Sequence, residues 1–249
     1  MARRRGSRSG GGDGIGDGGI RRQAERVRTA KRRKLGSTRW LQRQLNDPYV
    51  IQARKDGYRS RAAYKLWQID EKFELLQPGL RVVDLGAAPG GWTQIALERV
   101  QPEQSGGQVI AFDITDIAPI GGAVVVQGDL FDDSAPVALR AAIDGQADVV
   151  LCDMAAPATG HPPTDHLRTM ALAEGALEFA CEVLAAGGAF VVKVLQGADE
   201  PALFAAMRAR FANVRRMKPA ASRSDSTELY IVATGFKGPE NNAEAESDG

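Results

Sequence analysis

Residues 80–92 read Leu-Arg-Val-Val-Asp-Leu-Gly-Ala-Ala-Pro-Gly-Gly-Trp. The apolar run over 80–84 predicts a buried strand, the glycines a tight turn, and residues 91–99 a helix. A strand that turns straight into a helix offers the helix's first N–H groups to an anionic group of a ligand. Two phosphate-binding patterns are excluded. A dinucleotide fingerprint needs glycine where Ala88 stands, so that backbone can approach a pyrophosphate, and no G-x-x-x-x-G-K-[ST] loop occurs.

Outward from this turn, apolar runs and helical spacing alternate. A helix is expected over 61–76, with Ala62, Leu66, Ile69, Phe73 and Leu76 on one stripe and Pro78-Gly79 as its stop. Strands follow at 109–113 and 123–127, then a helix over 135–143 and a strand over 147–153. Next come a long helix over 165–184, a strand at 189–194 and a helix at 200–210. Two last strands are expected at 214–218 and 228–234, and a short helix near 37–45. Near-continuous apolar strands alternating with helices mean an α/β protein with a doubly wound, mostly parallel sheet buried on both faces. An antiparallel C-terminal strand is expected at its end. Ligands in such sheets bind outside the carboxyl ends of the strands, at the point where strand order reverses.

Composition narrows the function. The chain has 249 residues, 43% hydrophobic and 25% charged, enough for one sizeable core. No apolar run reaches the roughly 20 residues needed to span a bilayer, and no secretory signal opens the chain; a cytoplasmic protein is expected. Cys152 and Cys181 lack metal-ligand spacing, and His161 and His166 are the only histidines. A metal site or a histidine-based triad is therefore not expected. The net charge of +1 hides a split: residues 1–46 hold fourteen Lys/Arg against three Asp/Glu, a net +11, and the rest carries −10. A basic arm on an acidic body points to a polyanion such as RNA. Three regions are expected: a Gly- and Arg-rich disordered arm over 1–36, the α/β domain over 37–237, and an acidic frayed tail over 238–249.

Four chemistry-bearing residues fall where that sheet would gather them. Lys65 lies on the helix after a run of arginines, and Asp153 ends Val-Val-Leu-Cys-Asp. Lys193 ends Phe-Val-Val-Lys, and Glu228 opens Glu-Leu-Tyr-Ile-Val-Ala-Thr-Gly. If those runs are neighbouring strands, two lysines and two carboxylates share one crevice, a proton-transfer site. A nucleoside that bears a carboxylate fits the glycine-rich turn, and S-adenosylmethionine is such a ligand. Asp113, ending the second strand, can accept from both ribose hydroxyls; Asp129, after the third, can accept from an adenine amino group. Trp92 fits either packing on the cofactor or plain core. Arg54, Lys55, Arg59, Arg61 and Arg223 make a candidate phosphate-binding surface.

These motifs resemble the FtsJ/RrmJ family of RNA ribose 2′-O-methyltransferases over about residues 37–236. The resemblance rests on YRSRAAYKL (58–66), VVDLGAAPGGWTQ (82–94), LCDMA (151–155), VVKVLQG (191–197) and KPAASRSDSTELYIVATG (218–235). It implies a Rossmann-like methyltransferase fold and a Lys-Asp-Lys-Glu tetrad at Lys65, Asp153, Lys193 and Glu228, with Lys193 as general base. It also implies cofactor contacts at Gly90, Trp92, Asp113, Asp129 and Asp153. Within the family the resemblance is to the bacterial large-subunit rRNA branch. That implies a monomer that methylates a uridine ribose of the 23S A-loop in the 50S subunit. The loop Ala155-Ala156-Pro157-Ala158-Thr159-Gly160 lacks the asparagine the family usually carries there. Rival readings are a tRNA ribose methyltransferase of the same family and a ribosome-assembly factor with dispensable catalysis. A nicotinamide oxidoreductase is disfavoured by Ala88.

Overall fold

In chain order the secondary structure is Leu35–Asn46 (α1), Pro48–Asp56 (α2), Ala63–Phe73 (α3), Arg81–Leu85 (β1), Gly91–Val100 (α4), Pro102–Ser105 (α5), Gln108–Asp113 (β2) and Ala123–Gln127 (β3). Then follow Ser134–Ala142 (α6), Ala147–Cys152 (β4), Pro162–Val183 (α7), Leu184–Leu195 (β5), Glu200–Arg210 (α8), Phe211–Met217 (β6) and Glu228–Phe236 (β7). This computed structural model describes residues 35–239. The expected basic arm up to residue 34, and the acidic tail from residue 240, lie outside the described residues. Helix α1 falls in a unit separate from the one that begins at Asp47, which holds everything below.

Helix α2 was not expected from the sequence, because Pro-Tyr-Val-Ile-Gln-Ala-Arg-Lys-Asp has no 3.6-residue stripe and buries only Ala53. Its ends define it. The Asp47 side chain accepts the Tyr49 N–H, Pro48 occupies the first turn, and Gly57 caps the far end at φ +83°.

The sheet runs β3-β2-β1-β4-β5-β7-β6. The first five strands are mutually parallel, and β7 lies antiparallel between β5 and β6. Side chains alternate across it. Val83, Leu85, Val150, Cys152, Phe190 and Val192 face the side covered by α6, α7 and α8. Val82, Val149, Leu151, Val191, Tyr230 and Val232 face the side covered by α3 and α4. Burial on both faces is why these strands read as unbroken apolar runs. Filling each face with branched side chains removes on the order of 1.5–3 kcal/mol of exposed-surface cost per residue.

Two consequences position the site. Strand order reverses at β1, whose neighbours are β2 and β4, so the helices that follow β1 and β4 pack on opposite faces of the sheet. And Lys193, two residues on from Val191, points to the α3 side, directly across from Tyr230 on β7.

Candidate active site

A crevice of about 700 Å³ opens at the carboxyl ends of β1, β2, β3 and β4. Its floor includes Gly86 and Ala88 of the turn after β1, and Asp113, Asp129 and Asp153 stand on its walls. Glycine is required at 86: the backbone there is left-handed (φ +77°), and a Cβ would lie 2.5 Å from Met154 Cγ and 2.9 Å from its backbone nitrogen. Gly86 thus lets the loops after β1 and β4 nearly touch. Asp113 is held by two backbone donors, Ala88 N–H to Oδ2 at 2.9 Å and Thr115 N–H to Oδ1 at 2.7 Å. Each carboxylate oxygen keeps a further lone pair for a ribose hydroxyl. Asp129 accepts the Phe131 N–H at 3.1 Å and is otherwise exposed.

The donor set fits S-adenosylmethionine. Three carboxylates line the crevice against one cation, Arg168, a wall that suits a sulfonium and repels a pyrophosphate. Ile114, Phe131, Leu172 and Pro157 supply apolar surface for a base. Asp113 and Asp129 would hold the nucleoside, and the first-turn N–H groups of α4 the carboxylate. Trp92 needs a correction: its indole does not reach the crevice. It is buried, donates its ring N–H to the Ala62 carbonyl at 2.8 Å, and packs 5.6 Å from the Tyr230 ring. A cofactor contact by Trp92 would be through its backbone. Gly90, the N-cap of α4 at φ +114°, would likewise meet a cofactor through its backbone.

Asp153 belongs both to this crevice and to an ionic cluster on the α3 side. Lys193 Nζ lies 3.1 Å from Asp153 Oδ1 and donates to the Asp153 carbonyl at 2.6 Å. Lys65 Nζ lies 2.7 Å from Glu228 Oε1. The four residues therefore meet, coming from α3, the end of β4, β5 and the start of β7. Their link is Tyr230, which the sequence reading passed over. Its hydroxyl donates to Asp153 Oδ1 at 2.7 Å and accepts from Lys65 Nζ at 3.1 Å. Period-2 alternation from Glu228 would have found it on the same face of β7. Ser222 adds a hydrogen bond to Glu228 Oε1 at 3.1 Å.

Electrostatics follow from this packing. Burial pushes the Asp153 carboxyl up, but Lys193, Lys65 and the Tyr230 hydroxyl outweigh it and hold the group below the usual carboxylate range. Burial, and then the Asp153 and Glu228 charges, push the Tyr230 phenol well above its ordinary value. Tyr230 is thus a fixed donor and not a base. Cys152, beside Asp153 in sequence, is pushed up to about 12 by burial and is inert. Among the described residues no His/Cys/Asp/Glu group is arranged to hold a metal, and no helix is long and apolar enough to cross a membrane.

The expected phosphate surface is altered. Arg54 and Lys55 sit exposed in the last turn of α2. Arg59 and Arg61 instead spend their guanidinium groups on backbone carbonyls and on Asp47.

Residues 58–236 match the family model of FtsJ-like methyltransferases. The chain belongs to that family. Curated relatives of this FtsJ-like protein include proteins named ribosomal RNA large subunit methyltransferase E. The one from Paramagnetospirillum magneticum is 58% identical over 223 residues, covering 89% of this chain and 91% of that protein. The one from Rhodospirillum rubrum is 58% identical over 214 residues, covering 86% and 81%. Among solved structures, one titled as a ribosomal RNA methyltransferase from Plasmodium falciparum superimposes with a TM-score of 0.65 at 29% identity. It covers 73% of this chain and all of the other.

Proposed function

We propose that this FtsJ-like methyltransferase methylates a ribose 2′-hydroxyl of 23S rRNA, at a uridine of the A-loop within the 50S subunit, as a cytoplasmic monomer. The observation that carries it is the double membership of Asp153, which lines the cofactor crevice and also pairs with Lys193. Electrophile and base would thereby share one wall.

A ribose hydroxyl is a poor nucleophile at neutral pH, so the protein must align it and take its proton. Bound S-adenosylmethionine supplies an electrophilic methyl on a sulfonium and leaves as a neutral thioether. Lys193 as the neutral amine has two N–H groups and one lone pair. The Asp153 carbonyl and carboxylate occupy both N–H groups, so the lone pair is directed to the 2′-hydroxyl and accepts its proton as the O–CH₃ bond forms. Lys65, an ammonium held by Glu228 and Tyr230, has a third N–H to donate to the ribose oxygen. Glu228 holds Lys65, and Asp153 fixes Lys193 while its negative charge offsets the proton that Lys193 gains. Alignment contributes about 7–11 kcal/mol and the base roughly 10²–10⁴-fold.

Arg54 and Lys55, with the basic arm, would meet RNA phosphates. Deleting residues 1–34 should weaken RNA binding and make its salt dependence shallower. The test of function is radiolabelled methyl transfer to purified 50S subunits, free 23S rRNA and tRNA, with the modified ribose mapped. Label on a large-subunit uridine ribose is expected. Label on tRNA, or on a base atom, overturns the reading.

A further inference from the structure

Residues 57–62 join α2 to α3, and their two arginines engage different parts of the molecule. Arg59 donates through Nη1 to the Pro89 carbonyl at 3.1 Å and the Ala118 carbonyl at 2.6 Å, and through Nη2 to the Pro119 carbonyl at 2.7 Å. Its backbone N–H donates to Gln94 Oε1, and the Gln94 amide returns a hydrogen bond to the Gly57 carbonyl. The fit at this point is close. A Cβ on Gly90 would lie 2.4 Å from Ile120 Cδ1 and 3.2 Å from Arg59 Cδ. One exposed guanidinium thus fastens the glycine-rich turn after β1 to the connection after β2. Those same two segments grip Asp113 through the Ala88 and Thr115 N–H groups.

Arg61 works on the other side. Its Nη2 donates to the Ala221 carbonyl at 2.5 Å, and its Nε pairs with Asp47 at 3.1 Å. The Ala221 N–H in turn donates to Gln68 on α3 at 2.8 Å. Next to Ala221 is Ser222, which bonds Glu228. Arg61 therefore holds the loop that delivers Glu228 to Lys65. A phosphate-reading arginine offers its planar fork of donors to the anion; Arg59 commits three of its N–H groups to carbonyls, and Arg61 turns its own onto a carbonyl and the Asp47 carboxylate.

We infer that Arg59 and Arg61 are positioning residues rather than RNA contacts, Arg59 for the cofactor crevice and Arg61 for the Lys65–Glu228 pair. This rests on the methyl-transfer reading above. Losing a guanidinium that joins two segments changes where those segments sit, so each arginine should move a different kinetic constant.

The test uses the full chain in three measurements: calorimetric binding of S-adenosylhomocysteine, steady-state methylation of 50S subunits, and filter binding to free 23S rRNA across a salt series. Arg59→Ala is expected to weaken S-adenosylhomocysteine binding about tenfold and to raise KM for S-adenosylmethionine in step, with kcat at saturation nearly kept. Arg59→Lys should stay close to Arg59→Ala, because one ammonium cannot span both segments. Arg61→Ala should bind S-adenosylhomocysteine within about twofold of the original chain while kcat falls about tenfold. Arg61→Met, which keeps the aliphatic stem but no donor, should do the same; its melting temperature guards against a folding defect in Arg61→Ala. RNA affinity and its salt slope should be unchanged in all four. Unaltered S-adenosylhomocysteine binding in Arg59→Ala overturns the inference. So does unaltered kcat in Arg61→Met, or an RNA salt slope lowered by about one in either alanine variant. If the original chain itself binds no S-adenosylhomocysteine, the cofactor reading falls and the inference with it. Binding by the original chain matched by Arg59→Ala overturns the inference alone.

Discussion

Asp84 and Asp153 stand at the ends of adjacent parallel strands, with Leu85 in register with Cys152, and they titrate in opposite directions. Asp153 has two lysines and a phenol within reach and is held below the usual range. Asp84 is fully buried, and among the described residues only Thr93 serves it, at 2.7 Å through its hydroxyl; its Oδ1 has no partner among them. Burial therefore pushes Asp84 up to about 7, with the Asp153 and Asp113 charges adding to the rise. The difference teaches that a carboxylate in this fold owes its charge to partners brought from elsewhere in the chain. On the α3 side those partners exist, and the cluster is saturated and ionic. Behind the crevice the described residues supply none, and the acid keeps its proton up to about pH 7.

Removing a lysine is the most severe way to break that contrast. Lys193→Ala should cut turnover about 10³-fold or more, since it deletes the base and leaves Asp153 with less to hold its charge. S-adenosylhomocysteine binding should change only a few-fold. Single-turnover methylation and calorimetry check both; substantial residual turnover refutes the base assignment.

Asp84→Asn should abolish the other half of the contrast, and its sign is fixed by linkage. A folded value near 7 against an ordinary 3.8 means the native state holds the proton over that interval. The protonated acid's contribution is full below about pH 4 and is lost as pH rises through about 7, on the order of 4 kcal/mol in all. Asparagine has no such loss. The melting temperature of the variant should gain on that of the original chain between pH 4 and 7, by roughly 2–4 °C per kcal/mol for a domain of this size. Parallel curves of melting temperature against pH would show that Asp84 ionises freely.

The crevice and the cluster also differ in how far they could be read in advance. Crevice residues come from local signals: an apolar run, then glycines and a helix, with acids closing the neighbouring strands. Asp113 and Asp129 were legible for that reason. The tetrad was legible only because each member ends or opens an apolar run and the motifs resemble a known family. What could not be read were contacts set by long-range packing. Trp92 turns inward because Ala62, the N-cap of α3, offers its carbonyl, and Arg59 finds its carbonyls about 30 and 60 residues away. Helix α2 escaped because its caps, and not a stripe, define it. Within the crevice, Asp113→Ala should free the Ala88 and Thr115 N–H groups and remove the ribose acceptor. S-adenosylhomocysteine affinity should fall between tenfold and a hundredfold, with kcat at saturation much less affected. A collapse of kcat at full occupancy would mean that the crevice and the cluster are not separable.

The mildest change sharpens the comparison most. Tyr230→Phe keeps the ring that packs against Trp92 and lies 5.6 Å from the Lys65 ammonium. It removes only the hydroxyl that donates to Asp153 and accepts from Lys65. Asp153 then loses one of the partners that separate it from Asp84, and Lys65 loses its link to the Asp153–Lys193 pair. Because the phenol stays protonated, its loss removes positioning and not a proton acceptor. The expected result is a kcat about tenfold lower with KM for S-adenosylmethionine nearly unchanged, the equivalent of about 1.4 kcal/mol. A loss as deep as that of Lys193→Ala would put the hydroxyl in the chemistry itself. An unchanged kcat would mean that the lysines, without the phenol between them, are enough to set Asp153 apart from its neighbour.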